Sequence, residues 1–364
     1  MRKLIYFAFL FVAILACTSK EEEENLEKYR ILVGSYTDQG SEGIYYYSLD
    51  STMSTPKLMS NTKGVKNPSF LVYKNGIVYA VNEEEEGKVQ AYNLNSDTGV
   101  FTLLNEKGTG GAHPCHLSEN GNLLFASNYS GGNLAVYPML EDGKIGNRVQ
   151  LFANKGNGPN TERQEKSHIH SATVSPDGTS LWVADLGTDE IIIFDIIENN
   201  IKEKARIKAT PGSGPRHISF HPTLDVAYVI HELNNSITVV SMSDYSVVQE
   251  FSTLSTEFIG KSFCADIHVS PDGKFLYGSN RYSDSIVYYA INNKTGHIQL
   301  LGFVPTEGAV PRNFAISPDG KFLLVANQDS NNIVVFKRDS ITGALEKTGV
   351  EITVSKPVCI QFVD

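Results

Sequence analysis

Short apolar runs separated by polar turns recur along most of the chain. In "NFAISPDGKFLLVANQDSNNIVVFKRDSITGALEKTGV", residues 313–350, β-branched and apolar stretches alternate with Pro-Asp-Gly and Asn/Asp/Ser/Gly clusters. Such stretches predict strands joined by hairpins. The phrase returns as "SPDGKFLYGSNR" at 270–281, "SPDGKFLLVANQ" at 317–328 and "SPDGTSLWVADL" at 175–186. Its next-to-last residue anchors a repeat at Ser35, Asn82, Asn128, Asp185, His231, Asn280 and Asn327, with spacings of 47, 46, 57, 46, 49 and 47. Four strands per unit in seven units predict an all-β, seven-bladed β-propeller with four antiparallel strands per blade. The first unit begins at "YRILVGSY" without an inner strand, and the chain ends on an orphan strand, "PVCIQFVD". Adding that strand to the first blade closes the ring and removes an exposed edge.

The repeat also aligns two columns of residues on one rim. The first strand of a blade lines the channel and runs antiparallel to the second, so the start of one and the end of the other meet at the same mouth. Just after each anchor stand Tyr36, Glu83, Tyr129, Leu186, Glu232, Arg281 and Gln328. Fifteen residues before the anchors of units two to seven stand Asn67, His113, His170, Arg216, Ala265 and Arg312. Ionisable groups gathered at one mouth are where pKa values are tuned for chemistry. The longest spacing marks an insertion, "NKGNGPNTERQEKSHIH", predicted to enter the rim beside His170 and to fold Arg163 or Gln164 over a ligand. "HIH" at 168–170 would set two imidazoles on one strand face, half of a zinc site. With only His113 available as a third ligand, no metal and no cofactor is expected. His116, His217 and His221 read as packing or hydrogen-bonding residues further along their strands.

Composition narrows the class of protein. The chain has 364 residues and a formal charge of −10, with no basic stripe, so nucleic acid is not an expected partner. Arg2 and Lys3 precede an apolar run from Leu4 to Leu15, then "LAC" at 15–17. This reads as a signal peptide over 1–16, a lipidated Cys17 and an acidic tether through 28, ahead of one propeller domain over 29–364. The expected location is that of an exported lipoprotein of the bacterial cell envelope, touching the membrane through its N-terminal lipid alone. Cys115, Cys264 and Cys359 are too few and too scattered for a disulfide framework and read as buried thiols.

With "GPNTERQEKSHIH", "GPRHISFHP", "YVIHEL" and "SPDGKFLYGSNR", the chain resembles the lactonase family of seven-bladed propellers. That family includes propeller-type 6-phosphogluconolactonases and carboxy-muconate lactonizing enzymes. The resemblance covers essentially everything from about Tyr29 onward. It implies a metal-independent hydrolase acting on a small sugar lactone, with a catalytic group at His170, Arg216, Glu232 and Arg281. His113, Arg163, Gln164, His168, Arg312 and Gln328 are expected to bind substrate. The six-bladed gluconolactonases, by contrast, hold a divalent ion through carboxylates. His170 or Glu232 would activate water, while Arg216 and Arg281 would hold the oxyanion and an anionic group of the substrate. No Gly-x-Ser-x-Gly elbow or placed Cys–His pair points to a covalent route. A muconate-type cycloisomerase, or a non-catalytic propeller binding a glycan or protein, fits the repeats alone. Export stands against 6-phosphogluconolactone of the cytosolic pentose phosphate pathway, so the substrate is left open.

Overall fold

The computed structural model describes residues 29–363. The predicted signal segment, Cys17 and the acidic tether lie outside the described residues. Within them there are seven four-stranded antiparallel sheets and no helix. The C-terminal strand Pro357–Val363 pairs with Tyr29–Ser35 and becomes the inner strand of blade one, as the orphan strand requires. Inner strands of neighbouring blades pack side by side around the channel.

The Ser-Pro-Asp-Gly phrase forms the same turn wherever it occurs. Ser175, Ser270 and Ser317 donate their hydroxyls to Asp177, Asp272 and Asp319 at 2.5, 2.6 and 2.8 Å. Each serine oxygen also accepts the amide five residues on, at 3.0 to 3.1 Å. Gly178, Gly273 and Gly320 sit at φ of 70 to 72°, a left-handed conformation that glycine adopts without strain. In blade five His221 takes over the role: its Nδ1 accepts from the amides of Thr223 and Leu224, at 3.1 and 2.9 Å.

Apolar positions alternate along the strands and fill seven clusters, one between each pair of adjacent blades. Tyrosines on second strands tie neighbours together. Tyr79, Tyr228 and Tyr277 donate to the carbonyls of Gly143, Gly296 and Gly343 in the next blade, at 2.8 to 3.0 Å. Each such bond contributes about 1 kcal/mol and fixes the angle between blades.

The six turns that join inner to second strands, in blades two to seven, share one face of the ring. Second strands run from that face to the opposite one, where their anchors surround the channel mouth. In blade one this strand starts at Tyr29, whose hydroxyl donates to Asp319 of a Ser-Pro-Asp-Gly turn at 2.7 Å, and ends at Ser35 beside the mouth.

Candidate active site

A register shift opens most inner strands. The ladders break at Pro114/His116, Ile169/Ser171, Pro215/His217, Cys264/Ile267 and Pro311/Asn313, leaving Cys115, His170, Arg216, Ala265 and Arg312 as bulged residues. A bulge lets two consecutive residues address one face. The channel is therefore ringed twice, by the bulged residues and by those that follow them.

This geometry corrects the inner column in two blades. In blades four, five and seven the paired residues before the bulge are sixteen apart (Ile169/Asp185, Pro215/His231, Pro311/Asn327), but in blade three they are fourteen apart (Pro114/Asn128). The hairpin of blade three is two residues shorter, and the counterpart of Arg216 is Cys115, not His113. Blade two has a similarly short Asn75-Gly76 turn, which puts Ser69 in place of Asn67. Val358 completes the ring in blade one. Asn67 and His113 fall two residues earlier, at φ of 44 and 52°. Their carbonyls there accept the amides of Glu83 and Tyr129, at 3.1 and 3.0 Å. The equivalent bond from Glu232 to the Gly214 carbonyl, 2.8 Å, fixes the outer column in blade five.

Glu232 is the centre of the cluster and is 3% exposed. It accepts from Arg163 Nη2 at 2.5 Å and Arg216 Nε at 3.0 Å and is ion-paired with Arg281 Nη2 at 3.0 Å, with His170 Nε2 3.9 Å away. Burial alone would raise its pKa, but Arg281, Arg216 and Arg163 together hold the carboxyl well below the usual range. His170, also buried, is held well below 6.5, first by burial and then by the Arg216 charge, so it is neutral at pH 7. Its Nδ1 lies 3.8 Å from Cys115 Sγ. Burial, with Arg281 and Arg312 nearby, brings Arg216 down to about 10, which still leaves it charged at neutral pH.

The insertion delivers Arg163. Asp185 holds its two ends, accepting from Asn154 and Ser167 at 2.7 and 2.6 Å. Arg163 donates to the Tyr129 hydroxyl as well, at 3.1 Å, and Phe263 lies against both Arg163 and Arg281. Gln164 does not face a ligand. It is fully buried, and its amide is used by the Leu186 carbonyl and Asp189, at 2.8 and 2.7 Å. His168 and His170 do not form a matched pair either. The His168 ring stacks on Tyr129 at 4.5 Å, and its nitrogens are taken by the Tyr129 carbonyl and Glu165. The His170 ring instead meets Tyr129 edge-on at 5.3 Å. Among the described residues no three His, Cys, Asp or Glu side chains form a group that could hold a metal ion.

Arg312 occupies the other side of the mouth, over the Tyr36 ring at 5.5 Å. The Tyr36 hydroxyl donates to Glu83 at 3.1 Å, and Ser69 donates to the same carboxylate oxygen. Between Ser69, Cys115, Arg216, Arg312 and Val358 the channel narrows to about 10 Å³ for a water's centre, room for about one water. Gln328 lies at the rim with its Nε2 on Asp329 at 3.0 Å, and His113 is 3.9 Å from Glu85; neither joins the cluster around Glu232. Sequence reasoning missed Cys115 and Ser69, whose signal was the shorter turns "YKNGI" and "SENGN" in place of Ser-Pro-Asp-Gly.

A closed seven-bladed ring with a buried His, Arg and Glu cluster at one mouth defines a propeller of enzyme type. Residues 30–362 match the family described as lactonase, 7-bladed beta-propeller, and the chain belongs to that family. It is 35% identical over 349 residues to the 6-phosphogluconolactonase of Bacillus subtilis strain 168, covering 93% of this chain and 99% of the relative. A crystal structure of a chain from Bacteroides fragilis NCTC 9343 superposes with a TM-score of 0.88 at 36% identity, covering 94% of this chain and 99% of that one. The periplasmic gluconolactonase of Pseudomonas aeruginosa superposes at 0.86 with 31% identity, covering 92% and 99%.

Proposed function

We propose that the protein hydrolyses an anionic sugar lactone, of which 6-phosphogluconolactone is the leading candidate, at the mouth around Glu232. The observation that carries this reading is the excess of guanidinium. Arg163, Arg216, Arg281 and Arg312 face two carboxylates, Glu232 and Glu83, so four positive charges less two negative leave +2 in a chain of formal charge −10. Relatives named 6-phosphogluconolactonase and gluconolactonase support lactone chemistry without choosing between the two lactones.

The division of labour follows from charge. Glu232 is ion-paired with three guanidinium groups and is a poor proton acceptor, whereas neutral His170 keeps a basic nitrogen. His170 takes a proton from water, and the oxygen attacks the lactone carbonyl. Arg216 and Arg281 stabilise the oxyanion that forms. As the ring C–O bond breaks, the imidazolium returns its proton to the departing oxygen, giving the hydroxy acid. Arg163 and Arg312 hold the anionic substituent, for which the guanidinium fork is suited.

The test is hydrolysis of 6-phosphogluconolactone and glucono-δ-lactone, each corrected for spontaneous opening. Arg281→Ala should lower turnover by about 10²-fold or more while the chain stays folded. Wild-type rates in that variant, or no turnover above background in the native protein, would overturn the assignment.

A further inference from the structure

The second ring contains Phe70, His116, His217, Asp266 and Asn313, which meet across the channel below the mouth. The Phe70 and His116 rings are 4.3 Å apart, and the His217 ring lies 5.4 Å from both His116 and His170. Directly beneath Arg216, His217 Nδ1 is 2.7 Å from Asp266 Oδ1. Asp266 is anchored from its other oxygen by His268 Nε2 at 3.0 Å, by Asn313 Nδ2 and by the Phe314 amide at 3.3 Å. Burial opposes its charge, but His268 and His217 keep the carboxyl well below its usual range, so it accepts and does not donate. The proton between them therefore belongs to His217 Nδ1, and Nε2 carries a lone pair. Burial and the neighbouring Arg216 charge lower His217 to about 4 in spite of Asp266, leaving the imidazole neutral at pH 7.

That lone pair faces Arg216. Nη1 of Arg216 lies 3.4 Å from His217 Nε2 and also donates to the Ala265 carbonyl. Nε donates to Glu232 at 3.0 Å. Three of the five guanidinium hydrogens are thereby committed. The two on Nη2 have no protein partner among the described residues, and Arg216 lines the narrow space at the mouth.

We propose that Asp266 and His217 are a positioning pair that fixes the Nη1 edge of Arg216, so that its Nη2 edge is aimed at the oxyanion formed during lactone opening. The proposal rests on the hydrolytic reading given above. A donor placed in advance contributes in the transition state and not to ground-state binding. In Asp266→Asn the side-chain amide favours the other His217 tautomer, setting an N–H against an N–H and turning the guanidinium away.

The experiment compares His217→Phe, His217→Gln and Asp266→Asn with the native protein in steady-state hydrolysis of 6-phosphogluconolactone. His217→Phe and Asp266→Asn should lower kcat by about 10²-fold with KM changed less than about threefold. His217→Gln, whose Oε1 can accept from Nη1, should recover at least about tenfold of that loss. A rise in KM at unchanged kcat, or no recovery in the glutamine variant, overturns the proposal. Nitrogen-15 spectra of the native protein with labelled histidine supply a readout independent of turnover. A protonated Nδ1 and bare Nε2 on His217 at pH 7 are expected, and a protonated Nε2 overturns the pairing whether or not any lactone is hydrolysed.

Discussion

Replacing Glu232 by Gln removes one negative charge from among three guanidinium groups without changing side-chain volume. The carboxylate is 3% exposed, and Arg216 is 2% exposed. Removing one partner of such a buried arrangement typically costs about 3–5 kcal/mol, because the charges left behind stay desolvated. One end of the glutamine amide must also present N–H groups to a guanidinium that itself only donates. We expect the variant to lose about 3–5 kcal/mol at pH 7 in urea titrations followed by circular dichroism. The sign with pH is fixed by the depressed pKa of the carboxyl. Its contribution is fully present above the usual glutamate value of 4.5 and is lost as pH falls through the folded value. The gap between native and variant protein should therefore narrow below that pH, by about 1.4 kcal/mol per unit at most. Inorganic phosphate should stabilise the variant more than the native protein, since the orphaned guanidinium groups then lack their anion. A loss at pH 7 below about 0.5 kcal/mol, or a gap that widens on acidification, would refute this account of the cluster.

Two further outcomes follow from the same geometry. With His170 held well below 6.5, kcat/KM should stay level from pH 8 to pH 6 after correction for spontaneous opening. A protonation step centred at 6.5 or above would remove His170 as the base. Ending the chain before Pro357 deletes the inner strand of blade one and its buried Val358, Cys359, Ile360 and Phe362. At about 1.5–3 kcal/mol for each large apolar side chain, the open ring should lose its cooperative melting transition and become sensitive to trypsin. A truncated chain that melts like the native one would show that closure contributes little.

The sequence made the architecture readable because each turn carries its own chemistry. The serine, aspartate and glycine of the repeated phrase build a turn with no help from the rest of the ring, so its three copies set the period on which the seven units align. The column arithmetic brought His170, Arg216, Glu232 and Arg281 to one mouth for the same reason. It misplaced His113 because the residue count through a hairpin equals its spatial register only when hairpins have equal length. Blades two and three break that equality by two residues. Gln164 looked available because it lies in a long polar insertion, yet burial against Asp189 depends on a loop path that no local pattern encodes. His217 was legible as a hydrogen-bonding residue, and it bonds Asp266, but the bulge hid Asp266 and the place of both in the channel. A strand period of two assigns consecutive residues to opposite faces, and the bulge suspends that rule where the channel begins.

The entry of the chain at Tyr29 has a consequence for traffic. From Tyr29 on the turn face to Ser35 at the mouth is one strand of seven residues, about 20 Å of protein. Tyr29, the first described residue, lies on the side of the ring away from the mouth. Tyr29 and the candidate site therefore stand on opposite faces of the ring. A surface meeting the ring at Tyr29 and a small molecule reaching Glu232 would approach from opposite sides, so neither would stand in the other's way.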